Sequence, residues 1–431
     1  MMRNLEDIQV VVLMGGLGTR LKEYTKQCPK SLVQIGSRPF FDYELDLLQQ
    51  WGFRRFLFLI GYQADMIRDH YGDGSDRGLS IQYCMDGEKL LGTGGAVRRA
   101  LPYLDEDFLL IYGDSFMDID YEESVYRYFK GKETGQQALM TVLENKDRFD
   151  KSNVIVKDGK IVLYDKHHTV PEMDHIDYGV CMYERSLFED YEEDLAFDIA
   201  EIQTRLSREG KLAAHIVSKR FYEIGSPESM KEFEAYARHR FEEAHPAVFL
   251  DRDGVINEIV YNEDTELFDS AANVSQFRMF PYVAAAIDKI REKGYYVFVV
   301  TNQPSAAKGK TTLCNLYDIN TFFRSMVEID DLFMCPHYPE MLPMSREPYL
   351  IRTCNCRKPK SGLLEKAARK YNLDLAASYM VGDSYTDVLA GKAMGVKTIL
   401  LGGMRCDVCN RLEGNKPDHI LKDLSEVTKV I

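Results

Sequence analysis

Two aspartates at the end of an apolar run are the first candidates for chemistry. In the stretch AVFLDRDGV, residues 247 to 255, Asp251 and Asp253 follow four apolar residues and precede Gly254. The apolar run predicts a buried strand, and open α/β sheets bind their ligands at the carboxyl ends of strands. Because the Gly254 turn curls the segment, both carboxylates could flank one ligand. The pair could then supply a nucleophile and a general acid.

The same short motif has a less specific interpretation. Asp-x-Asp-Gly also occurs in ordinary turns and in calcium-binding loops. The glutamate that ends an EF-hand loop is absent here, and a buried strand precedes the motif. The catalytic interpretation is therefore favoured.

Three later stretches extend this site. They are YYVFVVTNQ, CRKPKSG and YMVGDSYTD, which contribute Thr301, Asn302, Arg357, Lys358 and Asp383. Together with AVFLDRDGV they resemble the haloacid dehalogenase superfamily of phosphatases over about residues 246 to 405. Four such motifs in this order seldom occur by chance.

The resemblance implies a role for each residue. Asp251 would attack phosphorus to form an aspartyl phosphate, while Asp253 would protonate the leaving alkoxide and then deprotonate water. Thr301 and Lys358 would stabilise the phosphoryl oxygens. The residues expected to contact the sugar phosphate in this half of the chain are Thr301, Asn302, Arg357 and Lys358.

A magnesium ion is also implied. Asp251, the backbone carbonyl of Asp253 and Asp383 would bind Mg²⁺, because carboxylates that face a phosphate dianion need a cation between them. Asp387 is expected only to brace Lys358 or its loop.

A group of soft ligands precedes the cationic pair Arg357-Lys358. Its members are Cys335, His337, Cys354 and Cys356. Three sulfurs and an imidazole form the tetrahedral set that structural Zn²⁺ prefers, although a redox pair remains the rival interpretation. A metal-closed loop would fix the two cations over the substrate. This loop narrows the resemblance to heptose bisphosphate phosphatases and histidinol-phosphate phosphatases.

A second phosphate-handling stretch, VLMGGLGTRL, lies near the start of the chain. Its apolar strand runs into a turn containing Gly15, Gly16, Gly18, Thr19 and Arg20. Glycines let backbone N–H groups approach a phosphate that any Cβ would block. Alone, the motif could equally be a tight turn.

Further motifs strengthen the phosphate interpretation. In chain order they contribute Lys30, Thr93, Gly94, Asp114, Lys166, Asp177, Gly179 and Glu223. This set resembles the sugar-1-phosphate nucleotidylyltransferases over about residues 8 to 235. Such enzymes act mainly through positioning and charge neutralisation.

The resemblance again implies roles. Arg20 and Lys30 would hold a nucleoside triphosphate on the glycine turn, with Asp114 and Glu223 on a second Mg²⁺. Thr93 and Gly94 would lie beside the base or nucleoside. The residues expected at the sugar phosphate are Lys166, Asp177 and Gly179.

The rest of the chain predicts two α/β domains. Short β-rich runs alternate with helical stretches in both halves, which indicates parallel or mixed sheets covered by helices. We expect two doubly wound domains, residues 1–243 with a Rossmann-like nucleotidyltransferase fold and residues 244–431 with a haloacid dehalogenase-like fold and zinc loop. At 431 residues the chain is long enough for two cores.

Composition limits the partners. A net charge of −14 disfavours nucleic acid, while local cation clusters still suit small phosphorylated ligands. No run of 18 apolar residues occurs, and the first residues do not resemble a secretory leader. We therefore expect a cytoplasmic protein with small-molecule substrates and no membrane partner. Its oligomeric state stays open, a homo-oligomer included.

The two resemblances suggest one sequence of reactions. A phosphatase acting on heptose 1,7-bisphosphate produces the sugar 1-phosphate that a guanylyltransferase activates for surface glycan assembly, whereas histidinol phosphate offers no such link. Two alternatives remain, namely another sugar with CTP or ATP, and a non-catalytic regulatory module fused to a phosphatase. The sequence does not identify the base.

Overall fold

The computed structural model describes residues 4–16, 21–26, 28–87, 89–262, 266–412 and 414–431. The chain divides into two compact units, Met1–Arg238 and His239–Ile431. Each unit has its own sheet, which confirms the predicted α/β class. The boundary predicted after residue 243 stays a prediction. Among the described residues, no helix combines the length and the apolar character needed to cross a bilayer.

The first unit is organised around a nine-stranded mixed sheet. Its strands, together with two small ribbons, are β1 (Gln9–Leu13), β2 (Gln34–Ile35), β3 (Arg38–Pro39), β4 (Arg55–Ile60), β5 (Ser80–Met85), β6 (Asp107–Tyr112), β7 (Ser115–Phe116), β8 (Ala138–Glu144), β9 (Val154–Lys157), β10 (Lys160–Tyr164), β11 (His175–Glu184), β12 (Leu212–Val217) and β13 (Tyr222–Glu223). The large sheet has the order β5-β4-β1-β6-β11-β8-β12-β10-β9. Its first four strands are parallel, so their carboxyl ends meet at one edge.

Helices cover this sheet. They are α1 (Lys22–Thr25), α2 (Phe40–Trp51), α3 (Ala64–Tyr71), α4 (Gly92–Arg99), α5 (Tyr121–Glu133), α6 (Ala200–Arg208) and α7 (Pro227–Ala237). Central strands such as β1 are buried on both faces, as expected for a sheet that is covered on both sides. Helix α7 begins at Pro227 behind a Ser226 cap, a usual start signal. A π-helical turn, Arg238–Glu242, follows this helix directly.

The second unit contains a fully parallel six-stranded sheet and a small hairpin. Their strands are β14 (Ala247–Leu250), β15 (Val260–Asn262), β16 (Leu267–Asp269), β17 (Tyr296–Asn302), β18 (Asp331–Cys335), β19 (Tyr379–Gly382), β20 (Lys397–Leu401) and β21 (His419–Leu421). The sheet order is β18-β17-β14-β19-β20-β21. The helices are α8 (Val283–Glu292), α9 (Leu313–Met326), α10 (Gly362–Lys370), α11 (Tyr385–Met394) and α12 (Cys406–Cys409). Strand β14 lies between β17 and β19, where the strand order reverses and ligands commonly bind.

Two candidate active sites

A cavity of about 430 Å³ opens at the carboxyl ends of the parallel strands in the first unit. Both glycine-rich segments reach it, since Gly15 and Gly16 follow β1 while Gly92 and Thr93 begin α4. A Cβ on Gly16 would meet open space. The other lining residues are Leu13, Met14, Lys30, Ser31, Leu59, Asp86, Leu90, Leu91, Ala96, Tyr112, Gly113 and Asp114. The predicted Gly18, Thr19 and Arg20 lie outside the described residues.

An ion pair marks the charged part of this cavity. Lys30 begins a short 3-10 turn after Pro29, and its ammonium group contacts the Asp114 carboxylate directly. Asp114 follows β6, and the side chain of Lys30 is 14% exposed against 34% for Asp114. The structure therefore brings Lys30 and Asp114 together in one cavity. The pair can present one cation and one carboxylate to a bound phosphate.

The structure places Glu223 beside Asp114. Strand β13 pairs antiparallel with β7 so that Glu223 lies opposite Ser115. The backbone N–H of Ile224 donates to the Asp114 carbonyl over 3.0 Å. Two carboxylates on adjacent strand ends offer the oxygen donors that Mg²⁺ prefers. This ribbon brings the backbones of two residues that are 109 positions apart in the chain together.

The glycine-rich start of α4 has a packing role. Thr93 lines the cavity, but a Cβ on Gly94 would lie 2.2 Å from the Phe197 ring. The backbone N–H of Gly94 donates to the Phe197 carbonyl over 3.0 Å. Gly94 therefore allows α4 to approach the segment before α6, and its predicted role beside the base stays a prediction.

Lys166 belongs to a network that the sequence did not indicate. Its ammonium lies 2.9 Å from Asp198, which also accepts a 3.0 Å hydrogen bond from the Thr93 hydroxyl. Burial opposes ionisation of Asp198, but hydrogen bonds from the Ala200 backbone and Lys166 hold the pKa of its carboxyl below the usual value. Asp198 thus connects the sugar-phosphate candidate Lys166 to the cavity-lining Thr93. The only available signal was an aspartate just before a helix.

Asp177 and Gly179 lie at an irregularity in β11. The register with β8 shifts between Asp177 and Cys181, and Gly179 has a φ of +85°, which favours glycine. The Gly179 N–H donates to the Asp177 carboxylate over 3.0 Å. Burial raises the pKa of Asp177 to about 6. A Cβ on Gly179 would lie 3.3 Å from the ring of Tyr112, which lines the cavity.

The second unit holds one lysine between two carboxylates. The Lys358 ammonium is 2.8 Å from Asp251 and 2.6 Å from Asp387. Lys358 and Asp387 are each only 1% exposed. Asp387 also accepts from the Ser384 N–H over 3.1 Å at the start of α11. The predicted bracing role of Asp387 agrees with this geometry.

Three carboxylates converge at this point. Ligand oxygens of Asp251, Asp383 and Asp387 lie within 4.8 Å of one another. Burial raises the pKa of Asp251 to about 6 although Lys358 opposes the shift, and burial together with Asp251 raises that of Asp383 to about 6. One lysine therefore does not neutralise the group. A divalent cation fits the remaining charge, and a Cβ on Gly254 would lie 2.5 Å from an Asp383 oxygen.

The Asp253 carboxyl has hydrogen-bond partners of its own. It accepts a 2.6 Å hydrogen bond from the Gln303 amide, a 3.0 Å bond from Asn257 and contacts from the Arg252 guanidinium at 3.2 Å. Burial opposes ionisation, but Arg252 and these donors hold the pKa of Asp253 below its usual value. Only the backbone carbonyl of Asp253 was predicted as a metal ligand, and that role stays a prediction. Sequence reasoning missed both amides.

The other predicted contacts serve different purposes. The Thr301 hydroxyl accepts a 3.0 Å hydrogen bond from Gln303 at the end of β17. Asn302 holds the Lys358 backbone through two 3.0 Å bonds, so it positions the lysine. The Arg357 guanidinium lies 5.7 Å from the centre of the Tyr338 ring.

The four soft ligands come together in the second unit. Cys335 ends β18, and its sulfur lies 3.7 Å from His337 Nδ1 and 3.6 Å from the Cys354 sulfur. Cys356 completes the set at 3.2 Å from both other sulfurs and 3.3 Å from His337. Hydrogen bonding with Cys335 and burial raise the pKa of the Cys356 thiol to about 12. Three thiols and one imidazole at these separations can hold a tetrahedral metal ion.

Comparisons with known proteins agree with the two-unit division. The nucleotidyl transferase family model matches residues 9–239, and the HAD-hydrolase-like model matches residues 355–427. D-glycero-alpha-D-manno-heptose 1-phosphate guanylyltransferase of Campylobacter jejuni is 27% identical over 52% of this chain and 98% of its own length.

Similar proteins also include two phosphatases. D-glycero-alpha-D-manno-heptose-1,7-bisphosphate 7-phosphatase of Photorhabdus laumondii is 35% identical over 36% of this chain and 80% of its own length. D-glycero-beta-D-manno-heptose-1,7-bisphosphate 7-phosphatase of Haemophilus ducreyi is 33% identical over 43% of this chain and 97% of its own length. The chain therefore belongs to the nucleotidyl transferase family, with a second unit that belongs to the family of the heptose bisphosphate phosphatases.

Proposed function

We propose that this chain is a bifunctional enzyme that performs two consecutive reactions on one sugar. The second unit removes the 7-phosphate of D-glycero-D-manno-heptose 1,7-bisphosphate. The first unit then transfers GMP from GTP to the resulting heptose 1-phosphate and releases pyrophosphate. One observation carries the proposal: the product implied by the name of one relative is the substrate named for the other. Since the guanylyltransferase relative acts on the α-configured sugar, we propose the α-anomer here.

The second unit has the groups needed for hydrolysis through a covalent intermediate. A carboxylate oxygen of Asp251 attacks the phosphorus while Lys358, 2.8 Å from that carboxylate, balances the phosphoryl charge. Asp253 protonates the departing sugar alkoxide, and an adjacent phosphate dianion raises the pKa of its carboxyl toward that task. Asp253 then deprotonates the water that hydrolyses the aspartyl phosphate. The Thr301 hydroxyl and Lys358 hold the phosphoryl oxygens, and Arg357 contacts the sugar phosphate.

Residues of the first unit position two phosphate groups for an in-line exchange. An oxygen of the sugar 1-phosphate attacks the α-phosphorus of the triphosphate, and pyrophosphate leaves with the negative charge. Lys30 and Arg20 stabilise that charge, while the backbone of the glycine turn cradles the phosphates. Lys166 anchors the sugar phosphate, and Asp177 with the Gly179 turn accepts sugar hydroxyls.

Metal ions belong to both proposed sites. Asp251, the Asp253 carbonyl and Asp383 would hold Mg²⁺ in the second unit, and Asp114 with Glu223 would hold it in the first. Bound Mg²⁺ supplies charge neutralisation at the reacting phosphate. We further propose that Cys335, His337, Cys354 and Cys356 hold structural Zn²⁺, which fixes the loop that carries Arg357 and Lys358.

The decisive experiment supplies purified protein with D-glycero-α-D-manno-heptose 1,7-bisphosphate, Mg²⁺ and GTP. Orthophosphate should appear with or without GTP, whereas pyrophosphate should appear only when GTP is present and only after orthophosphate begins to accumulate. Adding heptose 1-phosphate directly should remove that lag. Release of neither ion would reject the proposal, and pyrophosphate release from another sugar phosphate alone would redirect it to a different substrate.

A further inference from the structure

Three side chains at the start of the second unit form a cluster that neither proposed reaction uses. His239 lies in the π-helical turn Arg238–Glu242, Glu243 follows that turn directly, and His245 lies just before β14. Potential metal-ligating atoms of the three side chains lie within 4.8 Å of one another. Two imidazoles and one carboxylate are ligand types that Zn²⁺ accepts.

The separations within this cluster suit a tetrahedral ion. Nδ1 of His239 is 3.3 Å from a carboxylate oxygen of Glu243, and Nε2 of His245 is 3.7 Å from the same oxygen. Zinc bonds of about 2.0–2.1 Å place the ligand atoms of a tetrahedron about 3.4 Å apart. Small rotations of the side chains therefore bring all three ligand atoms onto one ion.

The backbone on both sides of the cluster is held by one segment of the same unit. Asn372 donates from its N–H to the Arg240 carbonyl over 3.2 Å, and from its side-chain amide to the Glu242 carbonyl over 3.1 Å. The His245 N–H donates to the Asn372 carbonyl over 3.1 Å, and the Asp374 N–H donates to the His245 carbonyl over 2.9 Å. Single π-helical turns are frequent at functional sites. Folding thus positions the ligands before an ion binds.

The two imidazoles are packed against a common wall. Their ring centres are 4.2 Å apart, and the Tyr296 ring lies 5.7 Å from that of His239 and 5.1 Å from that of His245. Nε2 of His245 donates to the His239 carbonyl over 3.1 Å. When an ion binds, the ring proton of His245 moves from Nε2 to Nδ1 through solvent, and the metal bond replaces this hydrogen bond.

We propose that His239, Glu243 and His245 form a second zinc site, with water in the fourth position. The side chains of His239 and Glu243 are 56% and 48% exposed, so the open position faces solvent. Three ligands of this kind hold an ion less firmly than the cluster of three sulfurs and an imidazole, and the ion is lost during purification. Bound zinc closes the segment 239–245 onto the start of β14 and stabilises the second unit in proportion to the free zinc concentration.

The test titrates Zn²⁺ into full-length protein that carries no histidine tag. Passage over a chelating resin first removes ions from open sites and leaves the four-ligand cluster loaded. Calorimetry in excess Mg²⁺ then counts the additional zinc ions and gives their dissociation constants. His239→Gln and Glu243→Gln each remove one ligand at a half-exposed position, so the fold should be kept. Each should weaken the binding of one Zn²⁺ by at least about 100-fold, since losing a residue that only supports a ligand already costs roughly 10- to 100-fold.

His419→Gln is the matched control, because it removes an imidazole from β21 of the same unit. It should keep the wild-type affinity for Zn²⁺. Zinc should also raise the melting temperature of the second unit in the wild type and in this control, and not in the two cluster variants. Equal zinc binding by all four proteins would place the ion elsewhere, for example at the active-site carboxylates, and would overturn the inference. A wild type that binds no zinc beyond the retained ion would overturn it as well.

Discussion

The two phosphate sites hold their lysines in different ways. Lys358 is 1% exposed and lies between Asp251 and Asp387, whereas Lys30 is 14% exposed and contacts Asp114, which is 34% exposed. The first arrangement is part of the folded core of its unit, and the second lines an open cleft. The comparison indicates that charge in the phosphatase site is fixed by folding, while charge in the nucleotide site is left available for a ligand. Both suit their proposed tasks, since a small phosphoryl group needs a rigid pocket and a long triphosphate needs an open path.

The largest expected effect separates the two activities. Asp251→Asn removes the nucleophile, so phosphate release from the bisphosphate should fall by about 10⁴-fold or more. Pyrophosphate release from heptose 1-phosphate should change less than about twofold, because the first unit keeps all of its groups. Asp114→Ala should produce the opposite pattern, and both products are measured for both variants. Loss of both activities by either substitution would refute independent sites.

Replacing each of the two lysines should lower the stability of its unit by a different amount. Lys358→Met leaves buried carboxylates without their cation, so the second unit should lose about 3–5 kcal/mol of unfolding free energy. Lys30→Met should lose less than about 1 kcal/mol, because its pair is partly solvated. Urea unfolding followed by a probe for each unit measures both values. Similar losses of unfolding free energy in the two variants would contradict the proposed difference, in which Lys358 stabilises the fold and Lys30 is available to a ligand.

Zinc should matter only to the second unit. Cys354→Ser removes one sulfur of the cluster. Substitutions of residues that support metal ligands typically weaken metal affinity roughly 10- to 100-fold, and loss of a ligand itself should weaken zinc affinity by more. Phosphate release should fall with it, since the loop carrying Lys358 loses its anchor. Elemental analysis should find about one zinc per wild-type chain, with pyrophosphate release unchanged in the variant. Full zinc content in Cys354→Ser would reject the four-ligand site.

The smallest effect concerns a buried carboxyl of the first unit. Burial raises the pKa of Asp177 to about 6, above the value of about 3.9 for an unfolded chain. Between these two pH values the folded state therefore binds more protons than the unfolded state. The stabilising contribution of the protonated Asp177 carboxyl is present at about pH 4 and is lost as the pH rises through 6. Asp177→Asn should lack this pH dependence. The wild type minus variant difference in first-unit unfolding free energy should fall by about 1–3 kcal/mol between pH 4 and 7, and a flat difference would contradict the shift.

Most of the predictions that the sequence allowed about the two sites came from local motifs. Asp251, Asp114 and Asp383 all follow strands whose apolar runs are visible in the sequence, so their meeting at a sheet edge could be expected. The pairing of Cys335 with Cys354 and Cys356 followed from ligand type. The structure brings these side chains together because strand ends and the C-x-H and C-x-C spacings are set by neighbouring residues, while their roles stay predictions.

The partners of these groups could not be predicted in the same way. Gln303 and Asn257 meet at Asp253, and Asp198 meets Lys166, through contacts that span 4 to 50 residues of chain. No periodicity marks such a residue, because its role depends on which strands and loops become neighbours.

By itself, the sequence determined the α/β class, the two phosphate-handling motifs and the residue types at the strand ends. Those features follow from local hydrophobic pattern, glycine placement and ligand chemistry. Only the tertiary structure decided that Lys358 lies between the Asp251 and Asp387 carboxylates, and that a two-stranded ribbon brings the backbone of Glu223 next to that of Asp114. The physical reason is that burial and charge pairing depend on the order of strands in the folded sheet, which brings together residues far apart in the chain.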